Sequence, residues 1–453
     1  MMLLFLACGS DRCSIDPPAS TQLRLDGTAV VDEHGRRIIL RGINAGGRSK
    51  MPPYVPFDYP EGQYEAALDD YLDATAAWGI NVLRVPFSWA AMEPEEGRID
   101  EAWMTQYDQL LDAAWARGLY TIVDFHQDLY AERYCGDGFP DWTVPEGGEA
   151  EARSDCESWF NGYLFDDESW PAWDAFWSDS NGSQAAFYGM WERMASRHAE
   201  RPGVIGFEII NEPFWGSADR DTWSTQTLPA VLTEAAARIN AAAPDRFVLF
   251  GHPGTEGGFA STRISPPSGD GLIFAPHYYD PGLFLGVSLP TVSVQDHLAL
   301  WAAQGEAWGM PVLLGEFGIH ADHPDASVYI DDHFDALDDL QLHSTFWEYS
   351  ASTDLWNFED FSLVDADGAE RSVLLDAMVR PWPRAIAGED LTWGEGTVRY
   401  TAWPGGVTEV VVPQRLGDVS IEAEGACVDQ RPGVIYLYSE AGGAVTVRLL
   451  ADG

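Results

Sequence analysis

Gly206-Phe207-Glu208-Ile209-Ile210-Asn211-Glu212-Pro213 is an apolar run that ends abruptly in a carboxylate, and Val312-Leu313-Leu314-Gly315-Glu316-Phe317-Gly318 repeats this pattern further along the chain. An apolar run bounded in this way is typical of a buried strand in a parallel sheet. Because the carboxyl ends of such strands share one edge, each run is expected to deliver an acid to the same rim. The two stretches therefore predict a carboxylate pair held by a parallel sheet.

Strand-like runs alternate with amphipathic helical patterns over most of the chain, which favours parallel strands joined by helices. Eight strands are predicted, at residues 38–43, 81–86, 119–125, 204–210, 246–250, 272–275, 311–315 and 342–347. Helical periodicity is found at residues 65–78, 104–117, 184–197, 228–243, 294–308 and 326–340. Repeats of this kind predict an α/β fold, a (β/α)8 TIM barrel, better than an open doubly wound sheet.

The length of 453 residues suits one barrel with one small appended module. Residues 22–37 are expected to form a hairpin that caps the closed end of the barrel. From residue 386 onward the pattern changes to short alternating runs, which indicate a small C-terminal antiparallel β-sandwich domain. The predicted division is a signal or lipoprotein-like segment with its linker at 1–20, a catalytic barrel at 21–385 and the β-sandwich at 386–453.

The chain is strongly acidic, with 72 Asp and Glu against 26 Lys and Arg and a net charge of -46. Such a charge repels phosphate backbones, so a nucleic-acid partner is excluded, and anionic membranes should be repelled as well. A solvated and possibly salt-tolerant surface explains the acidity better than a specific cationic partner. The hydrophobic content of 46% is ample for a large core.

The first seven residues are apolar and too short to span a bilayer, so they indicate a truncated export signal. Phe5-Leu6-Ala7-Cys8 loosely resembles a bacterial lipobox, although a positively charged segment before it is missing. We therefore expect a secreted protein or a cell-surface lipoprotein. No later segment has the pattern of a transmembrane helix.

The five cysteines lack the spacing of a zinc site. Cys135 and Cys156 lie in one Gly-rich and acid-rich insertion, and in an exported protein we expect them to form a disulfide. Cys427 is expected to be a buried free thiol, and Cys13 has no evident partner. The loop His320-Ala321-Asp322-His323 is rejected as a metal site, and neither metal nor cofactor is expected.

Six of the predicted strands end in polar or aromatic side chains that suit a reaction centre. A single buried polar residue is more often a structural group, but six strands that deliver such side chains to one rim indicate a site. In strand order these are Arg84, His126 and Asp128, Asn211 and Glu212, His277 and Tyr279, Glu316, and Trp347. Cleavage of an acetal needs one acid and one carboxylate nucleophile. We assign Glu212 as the general acid and base and Glu316 as the nucleophile, which Arg84 and Tyr279 would keep ionised.

These residues resemble the active-site set of glycoside hydrolase family 5, and the resemblance covers residues 25–383. Asn211-Glu212-Pro213 and Gly315-Glu316-Phe317 are its most specific motifs. The resemblance implies that Arg84, His126, Asn211, His277, Tyr279 and Trp347 bind substrate around the two glutamates. It also implies double displacement with retention of configuration, without a metal.

Within that family the chain is similar to endoglycoceramidases, which cleave the β-linkage between an oligosaccharide and ceramide. His126-Gln127-Asp128 and Trp347-Glu348-Tyr349-Ser350 carry this likeness, as does the appended β-module. Lys50, the only lysine of the chain, falls where endoglycoceramidases have a lysine that contacts sugar. Asp128 would either accept hydrogen bonds from sugar hydroxyls or pair with Lys50 or Arg48.

The sequence thus predicts a retaining endo-β-glycosidase for glycosphingolipids, with a β-glucosidase or endo-β-glucanase acting on soluble glycans as the alternative. A carbohydrate-binding protein without activity would not need both glutamates, whereas lipid binding by the C-terminal module stays open as a second activity. The expected partner is a glycolipid or oligosaccharide substrate, peripheral membrane contact is left open, and the protein is expected to be a monomer. The apolar loops at 52–59 and 281–290 would either line a groove for the lipid, with Phe284, Leu285, Val287 and Leu289, or serve ordinary loop packing. The preferred sugar head group is left open.

Overall fold

The computed structural model describes residues 13–146, 156, 159, 162–165, 167–258, 262–284, 287–356 and 359–451. The apolar start of the chain and Cys8, on which the lipoprotein prediction depends, lie outside the described residues. Among the described helices, none combines the length and the apolar character that crossing a bilayer requires.

A barrel of eight parallel strands forms the centre of the molecule. Its strands are β4 (Arg41–Asn44), β5 (Val82–Phe87), β6 (Tyr120–Phe125), β7 (Val204–Glu208), β8 (Phe247–Phe250), β9 (Leu272–Phe274), β10 (Leu313–Leu314) and β11 (His343–Phe346), preceded by β1 (Leu23–Asp26), β2 (Ala29–Asp32) and β3 (Arg37–Ile38). The barrel strands pair in the order β10-β11-β4-β5-β6-β7-β8-β9. Parallel bridges at Phe274–Val312 and His277–Glu316 close the ring between β9 and β10. The predicted barrel is confirmed.

Helices surround the barrel in the connections between its strands. They are α1 (Tyr64–Ala77), α2 (Trp89–Met92), α3 (Glu101–Ala116), α4 (Gly162–Phe165), α5 (Trp170–Ser178), α6 (Ser183–His198), α7 (Arg220–Thr222), α8 (Leu228–Ala242), α9 (Val294–Trp308), α10 (Ala326–Leu340) and α11 (Ser372–Met378). The six predicted helices correspond to α1, α3, α6, α8, α9 and α10. The sequence missed the other five described helices because each is short, so its periodicity covers few turns: α2, α4, α5, α7 and α11.

The C-terminal module is a sandwich of antiparallel strands, as predicted. Its strands are β12 (Trp382–Ile386), β13 (Gly388–Gly394), β14 (Thr397–Ala402), β15 (Gly406–Val411), β16 (Val419–Glu424), β17 (Cys427–Arg431), β18 (Val434–Ser439) and β19 (Gly443–Ala451). One sheet has the order β13-β14-β19-β16, and the other is β1-β2-β3-β12-β15-β18-β17. The N-terminal strands therefore belong to the module's own sheet, and β12 crosses the predicted boundary at residue 385.

The N-terminal hairpin also closes one end of the barrel. Its Leu23 and Val30 share a buried apolar cluster with Val82, Ile122 and Ile205 near the starts of barrel strands. The predicted first strand at 38–43 divides here: Ile38 ends β3, which pairs with the module, and Arg41 begins β4 of the barrel. The short link between them fixes the module to the end of the barrel opposite the catalytic rim.

Two disulfides occur in the described chain. Cys135–Cys156 is formed as predicted. The prediction of a free thiol at Cys427 is wrong, because Cys427 bonds to Cys13 across a sequence separation of 414 residues. The N-terminal segment lies beside β17, where the Cys13 amide donates to the Val428 carbonyl at 3.2 Å and the Ile15 amide donates to Asp429 at 3.0 Å. No sequence spacing could show this neighbourhood.

Arg36 joins the hairpin to the module through two buried ion pairs, at 2.8 Å to Asp32 and 2.6 Å to Glu409. We expect Arg36→Leu to lower the free energy of unfolding by about 3–5 kcal/mol, because Asp32 would remain buried without its cation. Denaturant titration measures the loss. Arg98→Leu is the control, since its pair with Glu95 is more than two-thirds exposed on both sides and should contribute little. Equal effects of the two substitutions would contradict the assignment.

Candidate active site

The ten side chains that the sequence predicts for the site lie together at the carboxyl ends of the barrel strands. Hydrogen bonds, ion pairs and ring contacts connect them all: Lys50, Arg84, His126, Asp128, Asn211, Glu212, His277, Tyr279, Glu316 and Trp347. Arg84 lies within β5, and the others lie in the segments that follow barrel strands, so the barrel positions the whole set. The geometry is as expected, while the individual roles stay predictions.

Arg84 occupies the centre of the barrel and is fully buried. Its guanidinium lies 2.7 Å from Glu208, 2.8 Å from Glu316 and 3.1 Å from Asp124. These carboxylates outweigh the effect of burial and raise the pKa of Arg84 well above its ordinary value. Glu208, buried beside Asp124 and Glu316, has its pKa raised to about 7. One permanent cation thus holds an acidic cluster together.

Glu316 is held from two sides. Arg84 donates to its Oε1 at 2.8 Å, and the Tyr279 hydroxyl donates to its Oε2 at 3.0 Å. The barrel closure itself positions this acid, because the backbone bridge between His277 and Glu316 aligns the ends of β9 and β10. Donors on both oxygens fix the orientation of the Glu316 carboxylate, as the attack of a nucleophile requires.

Glu212 lies in a different environment, and among the described residues no Arg or Lys side chain forms an ion pair with it. Burial and the Asp128 carboxylate raise the pKa of Glu212 to about 7. His277 approaches it through Nδ1 at 2.8 Å, and burial lowers the pKa of His277 to about 3. The imidazole is therefore neutral at ordinary pH, and Glu212, with its raised pKa, can carry a proton near neutral pH.

The separation of the two glutamates is small. A carboxyl oxygen of Glu212, a ring nitrogen of His277 and a carboxyl oxygen of Glu316 lie within 4.8 Å of one another. Retaining glycosidases place their carboxyl groups about 5–5.5 Å apart, whereas inverting enzymes leave room for a water. The spacing favours direct attack by Glu316. The same three groups could also ligate a metal ion, but His277 Nδ1 is already bonded to Glu212.

The backbone at Glu212 adopts a left-handed conformation, with φ of 39°. Gln127 stabilises this turn, because its amide Nε2 donates to the Asn211 carbonyl at 2.7 Å and to the Glu212 carbonyl at 3.0 Å. Gly254 borders the carboxylate on the other side, and a Cβ there would lie 2.2 Å from Glu212 Oε2. Both residues therefore aim Glu212 into the site.

A second charged chain runs from Asp124 to Lys50. His126 Nδ1 lies 2.8 Å from Asp124 and its Nε2 lies 3.5 Å from Asp128, which Lys50 contacts at 2.7 Å. Burial and Lys50 lower the pKa of His126, but the two aspartates outweigh them and raise it to about 10. Burial raises the pKa of Asp128, but Lys50 and His126 lower it to about 2. Of the alternatives for Asp128, the structure shows pairing with Lys50 rather than Arg48.

Aromatic rings enclose the ammonium group of Lys50. Its Nζ lies 4.4 Å from the ring centroid of Trp347, 4.1 Å from Trp356 and 5.6 Å from Trp159. Trp347 stacks on His126 at 5.1 Å and donates from Nε1 to Glu359 at 3.0 Å. The indole is only 1% exposed, so its predicted place under a sugar stays a prediction.

Sequence reasoning missed several residues that support the site: Asn44, Asp124, Gln127 as a positioning group, Glu208 and Glu359. Asn44 accepts from Arg84 at 2.9 Å, and Glu359 lies 3.5 Å from Lys50. A carboxylate inside an otherwise apolar strand, such as Asp124 or Glu208, is the one signal that could have identified them. Glu359 gives no such signal because it lies in an irregular loop.

The chain is similar to a family model, to characterised relatives and to solved structures. The family model "Cellulase (glycosyl hydrolase family 5)" matches residues 31–353. Endoglycoceramidase I of Rhodococcus hoagii is 26% identical over 96% of this chain and 89% of its own, and endoglycoceramidase of Cyanea nozakii is 23% identical over 80% of this chain and 76% of its own. The solved structure of endo-glycoceramidase II from Rhodococcus sp. in complex with ganglioside GM3 is 22% identical, covers 94% of this chain and 100% of its own, and superposes with a TM-score of 0.78.

The raised pKa of Glu212 gives a prediction about pH. If Glu212 is the proton donor, kcat/KM should fall about tenfold per unit as pH rises above about 7, because the acid form is lost. Hydrolysis of an aryl glycoside with an activated leaving group needs no proton and should not show this fall. Glu208 and Glu348, whose pKa values burial also raises to about 7, would affect both substrates alike. Parallel pH–rate profiles that coincide would contradict the role of Glu212.

Proposed function

The chain belongs to glycosyl hydrolase family 5, and from this premise we propose that it is a retaining endo-β-glycosidase that hydrolyses the linkage between oligosaccharide and ceramide in glycosphingolipids. The observation that carries the chemistry is the pair Glu212 and Glu316, whose oxygens approach within 4.8 Å while their surroundings differ. The pKa of Glu212 is raised to about 7, whereas Glu316 is held by two donors.

In the first step, a Glu316 oxygen attacks the anomeric carbon and forms a glycosyl–enzyme ester. The bond to the leaving oxygen breaks, and Glu212 gives its proton to that oxygen, so ceramide leaves as an alcohol. As the Glu316 oxygen becomes part of the ester, the group that Arg84 and Tyr279 contact loses its negative charge. Neutral His277 keeps the Glu212 carboxyl oriented without competing for the proton.

In the second step, Glu212 is a carboxylate and acts as the base. It takes a proton from a water molecule that attacks the anomeric carbon, and the ester bond to Glu316 breaks. The oligosaccharide leaves with its original configuration, and Glu212 is protonated again. The two displacements therefore regenerate the starting state of both acids.

The assignment of a glycolipid substrate draws support from the names of the relatives, several of which are endoglycoceramidases. The rim also carries apolar surface: Val287 and Val292 are each 46% exposed in the loop after β9. Asp280 secures this loop, accepting from the Gly282 and Thr291 amides at 2.7 Å each. An exposed apolar loop on a fixed base is suited to peripheral contact with lipid. Leu285, which the sequence also suggests for this contact, lies outside the described residues.

We also propose that the protein is exported, either secreted or held at the cell surface. Two disulfides support this location, since such bonds persist in oxidising compartments. The monomeric state stays a prediction.

Product analysis tests the function directly. The protein is incubated in parallel with ganglioside, glucosylceramide, galactosylceramide and a soluble cello-oligosaccharide, and the products are separated by thin-layer chromatography and identified by mass spectrometry. Intact glycan plus ceramide is the expected result. Cleavage of the soluble glycan alone would keep the mechanism and reject the lipid substrate.

Substitution of the two glutamates separates their roles. Glu316→Gln should reduce kcat at least about a thousandfold with every substrate, because no nucleophile remains. Glu212→Gln should slow glycolipid hydrolysis by about 10²–10⁴ but affect the first step of an activated aryl glycoside much less. Circular dichroism and melting temperature serve as controls for folding. Full activity in either variant would refute the site.

The apolar rim gives a separate prediction. The double substitution of Val287 and Val292 by Asp should lower kcat/KM on glycolipid in vesicles by about tenfold or more, because apolar burial against lipid is lost. Hydrolysis of a soluble aryl lactoside should not change. Leu300→Asp is the matched control, since Leu300 is 50% exposed on α9, away from this loop. Loss of activity on both substrates would instead indicate damage to the site.

A further inference from the structure

A cavity of about 460 Å³ lies beside the catalytic rim, bounded by the loops after β4, β5, β6 and β11. Its size is within the range of small-molecule sites, about 300–1,000 Å³. Neither Glu212 nor Glu316 lines this cavity. The side chains that matter for its chemistry are Lys50, Tyr54, Glu132, Asp137, Asp141 and Trp356.

The wall of this cavity is built to keep its shape. The Cys135–Cys156 disulfide forms part of it. The Asp137 amide donates to the Asp128 carbonyl at 2.8 Å, and the Ala90 amide donates to the Gly138 carbonyl at 2.9 Å. The turn at 135–138 is therefore fixed both to the loop after β5 and to the residue that contacts Lys50.

Lys50 connects the cavity to the site. Its ammonium group lies between Trp347, at the catalytic rim, and Trp356, which lines the cavity. Glu212, the proposed proton donor to ceramide, is absent from the lining. Because Lys50 joins the rim to the cavity, a glycan whose first sugar occupies the rim would reach the cavity by extending past this residue.

The charges around the cavity are unfavourable for an anion. Lys50 is its one cation among the described lining residues, and Asp128 at 2.7 Å and Glu359 at 3.5 Å already neutralise it. Glu132 and Asp141 are exposed at the mouth, and Asp141 is paired with Arg133 at 2.9 Å. Burial, with Glu132 first among the nearby carboxylates, raises the pKa of Tyr54 to about 12.

Asp137 at the floor has neither carboxyl oxygen hydrogen-bonded within the described part of the chain. Burial and the Asp128 carboxylate raise the pKa of Asp137 well above its ordinary value. The floor therefore presents a buried carboxyl group to the cavity, whereas the exposed carboxylates of Glu132 and Asp141 lie at the mouth.

We infer that this cavity binds a distal, uncharged sugar of the glycan and discriminates against a carboxylated sugar such as sialic acid. The Tyr54 hydroxyl and the Glu132 carboxylate offer hydrogen bonds to sugar hydroxyls, and Trp356 offers an apolar face. A sialic acid carboxylate would meet Glu132 without a free cation to pair with. This inference rests on the proposed function and specifies which glycans that function prefers.

The test uses three soluble aryl glycosides that differ only in the distal unit: a lactoside, its neutral trisaccharide extension and its sialylated extension. The wild type should hydrolyse the neutral trisaccharide with a kcat/KM about fivefold or more above that of the sialylated one. Glu132→Gln should reduce this ratio severalfold, and Tyr54→Phe should lower kcat/KM for the neutral trisaccharide, while both leave the lactoside unchanged. Equal rates for the two extended substrates would overturn the inference.

The net charge of the protein requires a control, because a molecule at -46 repels any anion. Glu306→Gln removes one exposed charge on α9, outside the cavity, and should leave the ratio unchanged. An effect equal to that of Glu132→Gln would assign the discrimination to the whole surface and reject the cavity.

A binding measurement separates this inference from the proposed function. Calorimetric titration of Glu316→Gln protein with the free neutral trisaccharide and with free sialyl-lactose should show tighter binding of the neutral glycan. That result would support the cavity even if ceramide were not released from glycolipids. Lactoside hydrolysis without any preference in binding would keep the enzyme and discard the cavity.

Discussion

The guanidinium of Arg84 is the interaction on which the site depends. It is the cation at the centre of the barrel that lies within ion-pair distance of Glu208, Glu316 and Asp124, three acids delivered by three different strands. Without it, three buried acids would lose the cation that they share, which is strongly destabilising. Because arginine keeps its charge at every relevant pH, the acids of this cluster lie next to a constant positive charge.

The two glutamates of this rim lie in different surroundings. Glu316 contacts Arg84 and accepts from two donors, whereas Glu212 lies against neutral His277, and burial together with the Asp128 carboxylate raises its pKa. The positions of the strand ends decide which of the two carboxyl groups contacts the central cation. The paired acid and nucleophile are therefore a consequence of where two strands end relative to a third.

The sequence alone was sufficient for the parts of the structure governed by local patterns. The two glutamates were found because each ends an apolar run, and the barrel was found because such runs alternate with helical periodicity. Features that depend on distant neighbours could not be found in this way. The pairing of β3 with β12 joins segments from the two ends of the chain, and Cys13 gives no local sign that Cys427 lies beside it. Gln127 is an intermediate case. The sequence places it at the end of a predicted strand, but only the structure shows that it stabilises the turn at Glu212.

The bond between Cys13 and Cys427 converts most of the polypeptide into a covalent ring. Cleavage of a single peptide bond in any surface loop between these cysteines would leave both fragments attached to each other. A chain of this kind can be cut once by an extracellular protease and still keep its barrel, its module and its rim in one molecule. This disulfide thus protects the enzyme against a first proteolytic cut and not only against heat. Such protection matters most in an oxidising compartment, where disulfides persist.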